Sequence, residues 1–372
     1  MKKQIQLFGV VILAMLFAPG AQAVQCDRTI TANVVVFDSP TVFNRLGAQN
    51  PNFINYALER DVVDRVTQVP CSQTACTAGN VELRRDKRPR PLVIRTAAED
   101  CLDVNFTNLL APVANPNNDQ QPPDNLINND QVADRCASFH ASGTEVVGSI
   151  NSDGSLVGRN PDATGPGAAA VCGPNTVKGG LVGPGASITY NLYTPKEGTF
   201  VINSYGATIG SEADGGNLGL GMFGQLNVQP KGAKIYRSQM TEEELRLATV
   251  GTVASDCVAG DVVGVDCNPG GQPIIDYEAT YPNVEPWISE GKAGLPVVNM
   301  LTPGGVLVHS DINAIIAGPC DDGSWKCTFG TADAPYPLEQ VGKINPAYPT
   351  RLEPFREFAS IYHDEQATAQ VF

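Results

Sequence analysis

The sequence predicts an all-β fold, and two features of its 372 residues support this prediction. Charged residues make up only 17% of the chain, whereas 37 glycines and 28 prolines supply many turns, a composition typical of a β protein with many loops. The segment 183–230 then alternates short β-rich runs with Pro-Gly and Gly-rich turns. Because 42% of the residues are hydrophobic, the chain can also build a substantial core.

Strands are expected where alternating or β-branched runs lie between turn residues. They are predicted over residues 29–37, 91–95, 101–109, 187–193, 199–203, 220–228, 297–300, 306–309 and 354–365. A short helix is expected around 53–58. A second helix is expected over 241–248, where Thr241 can cap a first turn of three glutamates. The segment 111–128 is rich in Pro, Asn, Gln and Asp and is predicted to be an exposed insertion.

The N-terminus has the pattern of a secretory signal peptide. Lys2 and Lys3 precede an apolar run over 7–17, and Ala21 and Ala23 form a small-residue cleavage pattern. The apolar run is short for a bilayer span, so a retained membrane anchor is the less favoured alternative. We therefore predict a signal peptide over 1–23, no membrane span after its cleavage, and an exported protein that is periplasmic, cell-surface or extracellular.

All ten cysteines follow the predicted signal peptide, and an even number in an exported chain predicts disulfides. Three pairs lie close in sequence: Cys71 with Cys76, Cys257 with Cys267, and Cys320 with Cys327. The other four allow three pairings, which the sequence leaves open: Cys26, Cys101, Cys136 and Cys172. Metal binding by the close pairs is not indicated, since none has a C-x-x-C spacing or a neighbouring histidine.

The formal net charge of −14 predicts a surface that repels nucleic acid and anionic lipid, so no nucleic-acid partner is expected. One stretch departs from this balance. Residues 84–90 read Arg-Arg-Asp-Lys-Arg-Pro-Arg. Charge runs are usually solvent-exposed, so this stretch is interpreted as a solvated turn before a strand.

The order of elements over 183–230 resembles a plastocyanin-like (cupredoxin) domain of the multicopper oxidases. The shared features are a Pro-Gly turn, a Tyr-rich strand, a Gly-Thr-aromatic strand and a closing Gly-aromatic-Gly strand. The most specific run, EADGGNLGLGMFGQLNVQP over 212–230, is similar to the N-terminal part of large bacterial multicopper oxidases associated with manganese oxidation. The resemblance covers 29–230 and the tail from 345. It implies a cupredoxin-like Greek-key β-sandwich with long loop insertions and a disulfide-rich appendage.

The resemblance also implies the domain organisation. A cupredoxin-like domain is expected over 24–232, and an appendage or interdomain region over 233–344. Residues 345–372 would form the first strand of a second, truncated cupredoxin-like domain. In the alternative, this strand pairs back onto the appendage.

In the family, this domain supplies four copper-binding histidines, and copper is the cofactor. His140 matches the first position, whereas Ser142, Asn203 and Tyr205 occupy the other three. His140 is therefore a candidate metal ligand, with a structural histidine as the alternative. Imidazole suits copper and the three replacements do not, and no His-Cys-His run exists, so this chain alone lacks the ligands for a complete site. We expect the four residues to form a buried, hydrogen-bonded polar cluster.

The remaining histidines offer weaker candidates for chemistry. His309 has no second ligand near it in sequence. His363 lies beside Asp364 and Glu365, which could hold a divalent cation weakly or form a solvated strand end.

Three functions follow from these observations, and the sequence leaves open whether the chain is an enzyme. The first is an exported cupredoxin-like domain with a structural role, packed against downstream cupredoxin domains or another copper-bearing subunit. The second is an active copper oxidoreductase that completes its site with another chain or with downstream domains. The third is a non-enzymatic exported binding or surface protein, since fold alone does not determine function.

Overall fold

The computed structural model describes residues 24–42, 44–50, 53–112, 135–155, 173–206, 217–263, 265–283, 291–317, 355–362 and 369–370. The strands are β1 (Thr29–Asp38), β2 (Thr41–Val42), β3 (Ala48–Asn50), β4 (Ile54–Leu58), β5 (Val62–Asp64), β6 (Val81–Leu83), β7 (Leu92–Ala97), β8 (Cys101–Asn108), β9 (His140–Ala141), β10 (Glu145–Val146), β11 (Val177–Lys178), β12 (Leu181–Val182), β13 (Ser187–Tyr193), β14 (Gly198–Asn203), β15 (Phe223–Gln229), β16 (Lys234–Arg237), β17 (Thr249–Thr252), β18 (Pro273–Ile275), β19 (Asn313–Ala317), β20 (Phe355–Phe358) and β21 (Ala369–Gln370). Short 3-10 helices cover Glu59–Asp61 and Ile150–Asp153, and helix α1 covers Glu242–Ala248.

Two sheets form a β-sandwich. The first has the strand order β10-β13-β8-β1-β4 and the second has the order β7-β15-β14-β9. Each sheet contains one parallel pair, β1 with β8 and β7 with β15, among antiparallel neighbours. The all-β fold class and the two-sheet sandwich are confirmed.

The core between the sheets is centred on four aromatic side chains. The rings of Tyr56, Phe106, Phe139 and Tyr190 contact one another with centroid distances of 5.9–6.4 Å. Both buried hydroxyls have partners, since Tyr56 donates to the Ser138 carbonyl at 2.5 Å and Tyr190 to the Gly180 carbonyl at 2.6 Å. Aromatic pairs and satisfied hydroxyls of this kind stabilise a core beyond simple burial of area.

The residues after the sandwich pack onto it. A three-stranded sheet with the order β16-β19-β20 shares its core, because Ile235, Ala314 and Ile316 belong to the same buried cluster as the sandwich side chains. A single parallel bridge between Thr31 and Val306 adds a backbone connection. Within the described residues, β20 pairs with β19 of the appendage. The domain bounds, including a second domain over 345–372, stay predictions.

Several predicted elements are confirmed and others are wrong. Helix α1 begins after Thr241, whose hydroxyl accepts from the Glu244 amide while the Glu244 carboxylate accepts from the Thr241 amide. The helix expected around 53–58 is instead β4, which pairs antiparallel with β1. All five side chains of β4 are buried, so they show no alternation, and periodicity cannot identify such a short run. The strands expected at 297–300 and 306–309 form only isolated bridges.

The disulfides follow the sequence prediction where the structure describes them. Cys71–Cys76 and Cys257–Cys267 are bonded as predicted. Cys26 pairs with Cys101, and Cys136 is also disulfide-bonded, so none of the described cysteines is free. The predictions for Cys172, for Cys320 with Cys327, for the signal peptide and for most of the 111–128 insertion lie outside the described residues.

No helix within the described part of the chain is long and apolar enough to cross a membrane.

Candidate functional site

The pairing of β9 with β14 brings the predicted site positions together. His140 lies opposite Asn203 in this ladder, and Ala141 lies opposite Ile202. The Ser142 amide continues the ladder by donating to the Val201 carbonyl at 3.0 Å. Since Ala141 and Ile202 are buried in the sandwich core, His140 and Asn203 point to the opposite, outer face of the sheet.

His140 is held by the loop that follows it. Its Nδ1 lies 2.7 Å from the Asp153 backbone carbonyl oxygen and 3.6 Å from the Asp153 carboxylate. A carbonyl oxygen only accepts, so Nδ1 carries the proton and the lone pair of a neutral ring lies on Nε2. The ring of Tyr205 meets the imidazole edge-on with centroids 4.7 Å apart. The Asp153 carbonyl and the Tyr205 ring therefore fix the orientation of the imidazole.

A glycine allows this loop to approach β9. The 3-10 helix Ile150–Asp153 starts at Ser149, whose hydroxyl accepts from the Asn151 amide at 3.2 Å. It ends at Gly154, which has a φ of +75°. A Cβ on Gly154 would lie 2.5 Å from the Phe139 carbonyl oxygen, so a larger residue would push the loop away. Gly154 thus permits the contact between Asp153 and His140.

The expectation of a buried, hydrogen-bonded cluster is wrong. Ser142 is exposed, and 49% of Tyr205 is accessible to solvent. Within the described residues, no side-chain hydrogen bond connects His140, Ser142, Asn203 and Tyr205 with one another. The physical reason is the strand alternation, which turns these positions away from the core.

A buried, hydrogen-bonded polar cluster does lie next to these positions, but other residues form it, and the sequence analysis did not single them out as site residues. The Ser204 hydroxyl accepts from the Ser138 amide at 3.1 Å, and the Ser138 hydroxyl accepts from the Tyr205 amide at 2.9 Å. The Asn217 side chain donates to the Cys136 carbonyl at 2.9 Å and to Ser204 at 3.3 Å. Asn217 belongs to the run over 212–230, and its place in that run is the one sequence feature that pointed to it. These bonds fix the segment that carries Tyr205.

The donor set at this position does not fit a copper centre of the kind that the resemblance implies. The described site offers one imidazole, from His140, beside a hydroxyl, an amide and a phenol. Copper sites in proteins are built from several imidazole, thiolate or thioether ligands. No step of copper chemistry is therefore assigned to these residues.

The other two histidines do not complete the site. His309 is buried in the appendage, and its Nε2 lies 2.8 Å from the Pro296 carbonyl oxygen. Burial lowers the pKa of His309 well below its usual value, and the positive charge of Arg237 lowers it further, so the ring is neutral. His363 and its acidic neighbours lie outside the described residues.

Most of the basic stretch 84–90 is the solvated turn before a strand that was expected, with Arg84 as the exception. Arg85 and Arg88 are exposed, but Arg84 is buried, with its Nε 2.5 Å from the Asp86 carboxylate and its Nη2 3.6 Å from Asp61. The stretch borders a cavity of about 600 Å³ between the sandwich and the appendage. The sequence could not reveal this cavity, because its other wall comes from residues 237–311.

Comparisons with known proteins find only distant structural similarity to copper proteins. No family model and no curated protein matches the sequence. A multicopper oxidase from Pseudomonas thermotolerans is 16% identical, with a TM-score of 0.26, over 55% of this chain and 30% of that one. A copper nitrite reductase from Nitrosomonas europaea is 12% identical, with a TM-score of 0.27, over 55% of this chain and 42% of that one. The multicopper oxidase mgLAC is 16% identical, with a TM-score of 0.28, over 67% of this chain and 52% of that one. The chain thus spans about a third to a half of the length of these copper proteins.

Proposed function

We propose that this chain is an exported cupredoxin-like domain of a multicopper oxidase system, with a structural role and without a complete copper site of its own. The observation that carries the proposal is the register of β9 and β14. It sets His140 beside Asn203 and Tyr205, three of the positions that the sequence resemblance aligns with copper-binding histidines. The finer relationship, to oxidases associated with manganese oxidation, rests on the run over 212–230.

The structural role is supported by the outer face of β14. Val201 is 54% exposed and Tyr205 is 49% exposed, so two large side chains face solvent beside the half-buried Asn203. Exposed tyrosines and aliphatic side chains grouped on one face are typical of a surface that packs against a partner. The partner we propose is a downstream cupredoxin domain or another copper-bearing subunit. Export is supported by the signal-peptide pattern and by the disulfides.

One observation favours the second candidate, a copper site shared with another chain or with downstream domains. Histidines that bind metals usually donate their second ring N–H to a carbonyl or carboxylate, which orients the ring. His140 has this arrangement, since Nδ1 meets the Asp153 carbonyl and the lone pair of the neutral ring lies on Nε2. In that case His140 is one ligand, and the remaining imidazoles come from the partner.

The experiment that tests the first candidate is copper loading of the purified full chain. We expect a colourless protein that does not oxidise phenols or Mn(II), with the same low copper content in His140→Ala and in the matched control Asn203→Ala. Stoichiometric copper that is lost only in His140→Ala would support the second candidate. A strong visible charge-transfer band would contradict the first.

The structural role needs a separate measurement. The copper-bearing partner encoded downstream in the same gene, or in a neighbouring gene, is mixed with the chain and complex formation is followed by size-exclusion chromatography. Tyr205→Asp should weaken the complex, whereas Leu46→Asp should not, although Leu46 is 75% exposed. Equal binding by wild-type and Tyr205→Asp chains would exclude this face as the contact surface.

A further inference from the structure

The cavity between the sandwich and the appendage is strongly charged. The loop 84–90 and the 3-10 helix Glu59–Asp61 form one wall, and the end of β16, helix α1 and the segment before β19 contribute the other. Seven arginine or lysine side chains and four acidic side chains line it, an excess of three positive charges. This excess occurs in a chain whose net charge is −14, so the local sign is opposite to that of the whole protein.

Some of these cations are held by acidic partners. Arg237 lies 3.1 Å from the Glu244 carboxylate and 3.0 Å from Asp311. Burial disfavours the charged guanidinium of Arg237, but the two carboxylates outweigh burial and raise its pKa. Lys87 lies 3.3 Å from Asp61. These pairs give the cavity a fixed polar frame.

Arg60 is the exception, because it is buried and incompletely paired. Only 9% of Arg60 is exposed, one of its terminal N–H groups donates to the Val308 carbonyl at 2.8 Å, and its Nε has no hydrogen-bond partner among the described residues. Burial lowers the pKa of Arg60, and the nearby charges of Arg84 and Arg237 lower it further, although Asp61 opposes them. A guanidinium charge that is buried and incompletely paired is unfavourable, so an anion in the adjoining cavity would be stabilised by it.

Two more arginines border the same cavity with little acidic compensation. Arg88 is exposed and has no ion pair within the described part of the chain. Arg90 has Asp311 as its acidic neighbour, at a distance of 3.9 Å. Guanidinium groups bind phosphate and carboxylate oxygens through two parallel N–H bonds, which ammonium groups cannot do.

We propose that this cavity binds a small polyanion through guanidinium contacts from Arg60, Arg88 and Arg90. The ligand class is a compact molecule with two or more phosphate or carboxylate groups. A volume of about 600 Å³ lies within the usual range for small-molecule sites. The site is independent of the proposed role at β9 and β14, so either proposal can fail without the other.

Calorimetric titration of the purified full chain tests the site, with pyrophosphate and citrate as separate probes. We expect saturable binding of at least one probe. Tighter binding of pyrophosphate would assign phosphate groups to the ligand, and tighter binding of citrate would assign carboxylates. Arg88→Gln should raise the dissociation constant about ten-fold or more, as the loss of one charged hydrogen bond implies. Arg60→Lys should have an effect of similar size, because it keeps the charge and loses the fork.

The matched control is Arg85→Gln, which removes one positive charge from the same loop but does not line the cavity. It should bind both probes within about two-fold of the wild type, since Arg85 would not contact a ligand in the cavity and salt weakens the effect of an exposed charge. Because Arg88 is exposed, Arg88→Gln should fold normally and keeps the test valid if Arg60→Lys does not fold. No saturable binding of either probe, or equal weakening in Arg85→Gln, would overturn the proposal and leave the arginines as a structural ion-pair network.

Discussion

Arg95 of β7 forms an ion pair with Glu357 of β20, with the Arg95 Nε 2.6 Å from the Glu357 carboxylate. The Arg95 side chain is completely buried between the second sheet and the appendage. Its terminal nitrogens donate to the Asp311 and Ile312 carbonyl oxygens. The contact therefore joins the sandwich to a strand 262 residues later in the chain.

Removal of the Glu357 carboxylate should lower the free energy of unfolding. Glu357→Ala leaves the Arg95 charge buried without its partner, so we expect a loss of about 3–5 kcal/mol in the free energy of unfolding. Urea denaturation measures this loss. The control is Arg356→Gln, an exposed neighbour on the same strand, which should change stability by less than about 0.5 kcal/mol. A loss below about 1 kcal/mol in Glu357→Ala would show that the pair is not formed.

The acid stability of the appendage should depend on Glu244. Burial raises the pKa of this carboxyl, but the attraction of Arg237 and the hydrogen bonds from Tyr281, Arg237 and Thr241 together outweigh burial and lower the pKa from 4.5 to about 2. A lowered pKa in the folded state gives stability that is present above pH 4.5 and is lost as the pH falls toward 2. The contribution is at most about 3 kcal/mol.

The measurement is urea denaturation between pH 7 and pH 2. Stability of the wild type should fall with decreasing pH, and this fall should be shallower in Glu244→Gln. Glu243→Gln, an exposed neighbour in the first turn of α1, should keep the wild-type slope. Parallel pH profiles for the wild type and Glu244→Gln would contradict the assignment.

The disulfides should contribute unequally to stability. Cys26–Cys101 spans 75 residues and Cys71–Cys76 spans 5. Because a longer loop loses more entropy in the unfolded chain, we expect losses of about 4 kcal/mol for Cys26→Ala/Cys101→Ala and about 2 kcal/mol for Cys71→Ala/Cys76→Ala. Calorimetric melting of the two double variants compares them directly. A reversed order would show that the folded state, rather than loop entropy, determines the effect.

His140→Ala should cost about 1 kcal/mol, the usual value of one hydrogen bond, because the Asp153 carbonyl loses its imidazole donor. Ser142→Ala is the control, since Ser142 is exposed on the same strand face and should be near neutral. Both are read by thermal unfolding. A loss above about 3 kcal/mol in His140→Ala would mean that the ring supports more of the fold than this one contact.

The sequence was informative where one side of a strand faces the core. The run predicted over 187–193 coincides with β13, whose buried Tyr190 and Leu192 alternate with more exposed residues. It was misleading at β4, because burial on both faces removed the alternation. The capping of α1 was readable, since Thr241 and Glu244 stand three residues apart and need no tertiary contact.

The candidate site was predictable only in part. The resemblance brought His140, Ser142, Asn203 and Tyr205 to one place, and the register of β9 with β14 agrees with that proximity. Which face they occupy depends on the core position of Ile202, which no local pattern specified. The charged cavity was not predictable at all, because Arg60 and Arg237 meet there only after the appendage packs on the sandwich.

The disulfide between Cys26 and Cys101 also bears on the register of strand β1 against strand β8. Cys101 is the first residue of β8 and lies opposite Thr29 in the parallel pair with β1. Parallel strands are joined by a crossover, so no hairpin turn determines their register, and a slip of one residue would turn every side chain to the wrong face. The covalent bond at this end of the ladder disfavours such a slip, because it ties Cys26, three residues before β1, to the first residue of β8. Oxidation of this pair of thiols therefore limits the registers that β1 and β8 can adopt, in addition to closing a loop.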